Sequence, residues 1–181
     1  MSCNKPLSAP AGHTLIELLI TLSIAAVMAG MALPAGKSWI DASRRSSVTN
    51  QMNGLLSFAR ETAVHQGFDV VICPTMDGHI CSEQWHSQFL LFVDRDGDRL
   101  FDTDEHLRIS QLPAGWRVNW RAFGFRRYIR FQPSGYTFNQ NGTLELCPPG
   151  EAEEINILIL NRIGRLRLDQ RDYSDSRCES G

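Results

Sequence analysis

Nineteen consecutive residues, Leu15 to Leu33 (LIELLITLSIAAVMAGMAL), carry a single charge, Glu17. At about 1.5 Å per residue this run matches the ~30 Å hydrocarbon core of a bilayer. It is long for the apolar region of a secretory signal, and no A-x-A cleavage box follows it cleanly. The run reads as one membrane-spanning helix rather than the buried helix of a soluble domain. An acid inside such a segment is costly and marks function unless it sits at the interface. The whole-chain average conceals all this: mean hydropathy is −0.22, and 43% hydrophobic against 21% charged residues over 181 positions is the composition of one globular domain. Eighteen Lys and Arg against twenty Asp and Glu give a net charge of −2. That balance excludes a protein whose entire surface grips nucleic acid.

Ahead of the run lies a short, mostly polar leader, MSCNKPLSAPAG, followed by HTLIELLITLSIAAV. This N-terminus resembles the type IV prepilin signature, a leader ending in Gly with Glu at the fifth mature position. The resemblance implies cleavage by prepilin peptidase between Gly12 and His13, with N-methylation of the new terminus. Glu17 is then mature position five, and Pro34 falls at mature position 22, where pilin helices commonly carry a kinking proline. His13 stands where the family usually has Phe. In that family the acid neutralises the α-amino group of a neighbouring subunit as subunits leave the membrane for the fibre. A low-dielectric filament core strengthens such a pairing. The partners implied are other pilins or pseudopilins, prepilin peptidase and the inner membrane.

Lys5 precedes the span, whereas Lys37, Arg44 and Arg45 follow it. A bare positive-inside count would leave the C-terminal part in the cytoplasm. The leader and the cysteines point to the periplasm instead. Cys3 departs with the leader, and Cys73, Cys81, Cys147 and Cys178 fit a two-disulfide domain in an oxidising compartment. Three connectivities are open; the favoured one joins Cys73 to Cys81 across a short hairpin-like loop and Cys147 to Cys178 between a strand and the C-terminal tail. Zinc held with His79 and His86 is disfavoured, since no C-x₂₋₄-C pair occurs.

From Ser38 the helical pattern continues and becomes amphipathic, with Val48, Met52, Leu55, Leu56, Ala59 and Ala63 on one stripe and Gly67 as a stop. Strand-like runs follow at 68–73, 88–93, 106–110, 116–120, 128–132, 142–147, 155–160 and 164–168, separated by Gly, Pro, Asn and Asp clusters. The expected fold class is α+β, a pilin-like long N-terminal helix packed on antiparallel sheet. Its parts are a leader (1–12), a transmembrane half-helix (13–34), an amphipathic periplasmic half-helix (35–67) and a β-rich domain (68–181). The order helix, FDVVICP…C, FLLFVDRDGD and NRIGRLRL closely resembles the GspH/FimT family of minor pilins and pseudopilins.

Three stretches of the β-rich part carry chemistry. DRDGDRLFDTDE (94–105) places Asp94, Asp96, Asp98, Asp102 and Glu105 at positions 1, 3, 5, 9 and 12 of an EF-hand-like Ca²⁺ loop. Arg99 occupies position 6, where that loop needs Gly, so the first reading is an exposed acidic turn partly offset by Arg95 and Arg99. WRVNWRAFGFRRYIRF (116–131) interleaves arginines, among them Arg126, Arg127 and Arg130, with aromatic rings, as single-strand nucleic-acid grips do. A plain β-hairpin with its aromatics inward produces the same pattern and is the preferred reading. In NRIGRLRL, strand alternation puts Arg165 and Arg167 on one face and points Leu166 and Leu168 inward, with Arg162 in the preceding turn. The segment from Gly164 to Arg167 resembles the G-R-x-R motif with which FimT-like pilins bind DNA during natural transformation.

No G-x-S-x-G, H-E-x-x-H, Walker or dinucleotide fingerprint occurs, so no enzyme is expected. The expected function is that of a FimT-like minor type IV pilin that joins or primes a pilus, with DNA binding for uptake as a candidate role. The alternatives are a GspH-like minor pseudopilin of type II secretion, partnered by exported proteins, and a membrane-anchored Ca²⁺-binding domain. No cofactor other than Ca²⁺ is expected. The location expected is the bacterial inner membrane, single-pass with a periplasmic C-terminal domain, then the pilus or pseudopilus.

Overall fold

The computed structural model describes residues 14–178 apart from Phe125, Arg126, Phe138 and Glu151, and of residues 31–36 it describes the backbone alone. Gly12, His13, Arg126 and the side chain of Pro34 therefore lie outside the described residues. The chain divides into two compact units, Met1–Ala42 and Ser43–Gly181. One helix, α1, runs Leu15–Gln66.

From Leu15 to Met28, within the first unit, the helix carries apolar side chains on every side. Leu15, Ile16, Leu18, Leu19, Ile20, Leu22, Ile24, Val27 and Met28 are all exposed. Described side chains of the apolar run end at Gly30. Among the described residues no helix is long and apolar enough to cross a membrane. Thr14 starts the helix by accepting a hydrogen bond from the Glu17 amide on its Oγ1 at 3.4 Å. Thr14-x-x-Glu17 thus has the residues and spacing of a capping box, and the acid sits where the helix dipole favours negative charge.

In the second unit the six residues of the sequence-predicted stripe, Val48 to Ala63, are all buried. Gly67 ends the helix in the left-handed conformation (φ +76°), its amide donating to the Ala63 carbonyl at 3.0 Å. Only glycine adopts that backbone without strain. Eight strands follow: β1 (Asp69–Pro74), β2 (Gln88–Asp94), β3 (His106–Gln111), β4 (Arg117–Ala122), β5 (Ile129–Phe131), β6 (Gly142–Cys147), β7 (Glu154–Leu160) and β8 (Leu166–Asp172). They form two four-stranded sheets, ordered β3-β2-β1-β5 and β4-β6-β7-β8. Every pairing is antiparallel.

One core takes in the helix stripe, Val70, Ile72, Phe89, Leu91, Ile129 and Phe131 from the first sheet, and Val118, Trp120, Leu144, Leu146, Leu158 and Leu160 from the second. The first sheet is covered on its other face too. There Val71, Leu90 and Phe92 pack with Phe101 and Tyr128. Burial on both faces is why VVIC and FLLFV read as continuous apolar runs rather than as alternation.

Two local expectations fail. Residues 116–131 do not form a hairpin, because β4 belongs to the second sheet and β5 pairs with β1 in the first. Their alternation is real, but it serves one core from two sheets. Leu168 is 55% exposed rather than inward, and β8 continues to Asp172. That strand lies at the edge of its sheet with most of its side chains in solvent, so alternation there does not report burial.

Candidate functional site

The cysteines pair Cys73–Cys81 and Cys147–Cys178, with Cα atoms 5.5 and 5.4 Å apart. The first closes the segment after β1; the second fastens the C-terminal tail to the end of β6. These four cysteines are thereby taken, and none of them offers a thiolate for zinc with His79 and His86.

Most arginines of the 116–131 stretch are engaged. Arg117 donates to the Cys178 carbonyl (2.9 Å), and Arg121 pairs with Glu145 (3.1 Å). Arg130 pairs with Asp69 on the neighbouring strand (3.0 Å), and Arg127 with Glu83 (2.7 Å), both of the latter well exposed. Trp116, Trp120 and Phe131 are buried, while Phe123 is exposed. A strip of free guanidinium groups interleaved with open ring faces does not form here among the described residues.

The turn between β7 and β8 is different. Asn161 accepts the Arg165 amide on its side chain (2.8 Å) and donates its own amide to the Arg165 carbonyl (3.1 Å). The turn rests on the 133–137 loop, where the Thr137 amide donates to the Arg162 carbonyl (3.1 Å). From α1, Arg60 ties the two together, donating through Nε to the Gly135 carbonyl (3.0 Å) and through Nη2 to the Ile163 carbonyl (3.4 Å). Gly164 has φ +73°, and a Cβ on it would run into the Gly135 carbonyl oxygen. So Gly164 is needed for close packing, and the turn is rigid. On it Arg162 and Arg165 stand exposed, and neither meets a carboxylate among the described residues. Arg167 pairs with Asp169 two residues on (2.8 Å). Both partners are exposed, and such pairs contribute about 0–1 kcal/mol, so Arg167 is easily drawn to another anion. A cavity of about 620 Å³ is lined by Ile159, Asn161, Arg165, Leu166 and Arg167.

The acidic loop joins β2 to β3. Carboxylate oxygens of Asp94, Asp96 and Asp98 lie within 4.8 Å of one another, and Asp102 and Glu105 stand outside that group. Asp94 Oδ1 accepts the Gly97 and Arg99 amides (2.9 and 3.2 Å). Asp96 and Asp98 accept the Asp98 and Leu100 amides. Arg99, at the position where the loop pattern asks for Gly, takes φ +64°, the only non-glycine among the described residues with positive φ. The sequence objection to the loop is thus met by backbone geometry. Glu105 is buried, and burial pushes its carboxyl above the ordinary carboxylate range. The Arg95 amide partly opposes that rise, while the nearby charges of Asp96, Asp94 and Asp102 add to it. Arg99 is held above its ordinary value, chiefly by a hydrogen bond with Tyr128.

Glu145 is a site that the sequence reading missed. Its side chain is fully buried. Oε1 accepts from Arg121 (3.1 Å) and Arg171 (2.7 Å). Oε2 accepts from Asn119 Nδ2 (2.9 Å) and the Arg177 amide (3.3 Å). In GTLELC the acid alternates with Leu144 and Leu146, which ordinarily marks the solvent face. The C-terminal segment, brought over that face by Cys147–Cys178, is what buries it.

A long N-terminal helix, two antiparallel sheets sharing a core with its C-terminal part, and a prepilin-type terminus together define a type IV pilin-like subunit. Residues 7–33 match the model of the prokaryotic N-terminal methylation motif. Residues 48–163 match the family model described as type II transport protein GspH, and the chain belongs to that family of minor pilins and pseudopilins. These are structural proteins, not enzymes.

Two crystal structures of the type IV minor pilin FimU of Pseudomonas aeruginosa are similar to it at 18% and 19% identity, with TM-scores of 0.53 and 0.55. They cover 68% and 71% of this chain, and 91% and 90% of their own. The minor pseudopilin EpsH of the Vibrio cholerae type 2 secretion system is similar at 18% identity and a TM-score of 0.45, covering 71% of this chain and 94% of that one. Among curated proteins none matches. The prepilin-type terminus implies inner-membrane anchoring, processing by prepilin peptidase and association with other pilins.

Proposed function

We propose that this chain is a FimT-like minor pilin, cleaved between Gly12 and His13, held in the inner membrane by a helix over residues 13–34, and then incorporated into a type IV pilus. The observation that carries this reading is the helix from Leu15 to Met28, apolar on all sides and exposed, with Glu17 as its one charge. Such a surface is stable only in lipid or among other apolar helices. Glu17, already suited to the helix start by Thr14, is free to meet the α-amino group of a neighbour as the helix enters the fibre. Replacing Gly12 by Leu is expected to leave the leader uncut, giving a product heavier by twelve residues. Glu17→Ala is expected to be cleaved normally and to remain in the membrane fraction, absent from sheared pili. Normal trimming of Gly12→Leu, or Glu17→Ala in pili at wild-type level, would overturn the reading.

DNA uptake is the finer part of this proposal. Arg162 and Arg165 stand on a rigid turn, with Arg167 able to exchange Asp169 for a phosphate. Arg165 and Arg167 line one cavity, and guanidinium groups so placed suit a phosphate backbone. Arg162→Ala with Arg165→Ala is expected to weaken binding to all DNA sequences alike and to lower the salt slope by roughly two. The description of the matching family model favours a second reading, a pseudopilin of type II secretion. On that reading the same double variant leaves DNA uptake untouched, and deletion of the chain blocks protein export.

A further inference from the structure

The β2–β3 loop holds two buried carboxylates, each with one oxygen left over. Asp94 is 3% and Glu105 5% exposed. Backbone amides occupy Asp94 Oδ1 and Glu105 Oε1, the latter through Arg95 at 2.6 Å. Asp94 Oδ2 and Glu105 Oε2 are buried with no hydrogen-bond partner. A buried carboxylate oxygen without a donor is among the least favourable groups a fold can hold. The neighbouring arginines do not supply the missing charge directly. Neither Arg95 nor Arg99 forms an ion pair with these acids among the described residues. Asp96 and Asp98 of the same loop stand exposed beside the two buried carboxylates.

The spacing says which cation. Oxygens of Asp94, Asp96 and Asp98 within 4.8 Å of one another have the separation found across an ion whose oxygen ligands sit at roughly 2.3–2.6 Å. We propose that this loop binds Ca²⁺ through Asp94, Asp96 and Asp98, with Glu105 as the buried carboxylate that completes the charge of the site. Mg²⁺ fits poorly, because it keeps its waters and seldom takes a cage made mostly of protein carboxylates. Zn²⁺ lacks nitrogen and sulfur ligands here. The ion also has a structural consequence. Phe101 belongs to the same loop and packs edge-on against Phe92 at 5.8 Å, covering the outer face of the first sheet. Binding therefore fixes that cover.

The test uses the full-length chain in detergent micelles, stripped with EDTA and titrated with CaCl₂ or MgCl₂ by calorimetry and thermal melting. At a CaCl₂ concentration about 100-fold above the measured Kd, the melting temperature is expected to rise by about 5–10 °C. MgCl₂ at the same concentration is expected to raise it by less than about a third of that. Asp96→Asn with Asp98→Asn keeps the side-chain oxygens that accept the loop amides. That variant is expected to melt in EDTA within about 2 °C of wild type or above it, and to lose the calcium-dependent rise. Glu105→Gln is expected to weaken the Kd at least about tenfold. Three results would each overturn the site: a flat CaCl₂ titration with superimposable melts, a double variant with the full rise, or a double variant that melts far below wild type in EDTA.

Discussion

Glu145 and its two arginines allow a prediction whose sign depends on background. The carboxylate is fully buried, whereas Arg121 and Arg171 are 40% and 30% exposed. Removing the acid leaves cations that turn to water. Removing the cations leaves a buried charge with the hydrogen bonds from Asn119 and the Arg177 amide. Glu145→Gln keeps the volume and one acceptor, so its cost is about 1–2 kcal/mol, the loss of charge-assisted hydrogen bonds. Arg121→Met with Arg171→Met keeps the apolar stems but strands the acid, at about 3–5 kcal/mol, the range for a buried pair broken from one side.

The triple variant removes the acid together with both of its paired cations. It is expected to be more stable than the double arginine variant, so Glu145→Gln destabilises the wild type and stabilises the doubly substituted chain. Thermal unfolding of the disulfide-intact protein, followed by tryptophan fluorescence, measures this. About 2–4 °C accompanies each kcal/mol in a chain of this size, which places the double variant roughly 10 °C or more below wild type. If Glu145→Gln lowered the melting temperature equally in both backgrounds, the carboxylate would not be coupled to the arginines and the argument from burial would fail.

The disulfides differ in the length of chain they close, with separations of 31 for Cys147–Cys178 and 8 for Cys73–Cys81. Loop-closure entropy then predicts losses of about 3.7 and about 2.5 kcal/mol for the paired serine variants, readable as a difference in urea midpoint; the reverse order would refute the entropic account. Gly164→Ala sets a methyl group against the Gly135 carbonyl in a positive-φ backbone, so a loss of about 2 kcal/mol or more is expected together with weaker DNA retention. An unchanged melting temperature would show that the turn is not packed as described.

What the sequence disclosed was whatever has a local cause. The apolar run, the stripe from Val48 to Ala63, the glycine stop and all eight strands each follow from periodicity or from one residue's conformational preference. Partition into two sheets has no such cause. Residues 116–131 alternate like a hairpin because Trp120 and Phe131 both face the core, and nothing local says that their strands join different sheets. Leu168 and Glu145 fail in opposite directions for one reason. Alternation gives the two faces of a strand but not what covers them, and here an edge position exposes the leucine while a disulfide-held tail buries the acid. The acidic loop lies between these cases. The spacing of its acids was legible, and the Arg99 objection was sound as local chemistry, yet Asp94 Oδ1 holds the Arg99 amide in the conformation that objection forbade. A motif that breaks its own residue rule is therefore best judged by whether the surrounding hydrogen bonds impose the missing geometry, which in this loop they do.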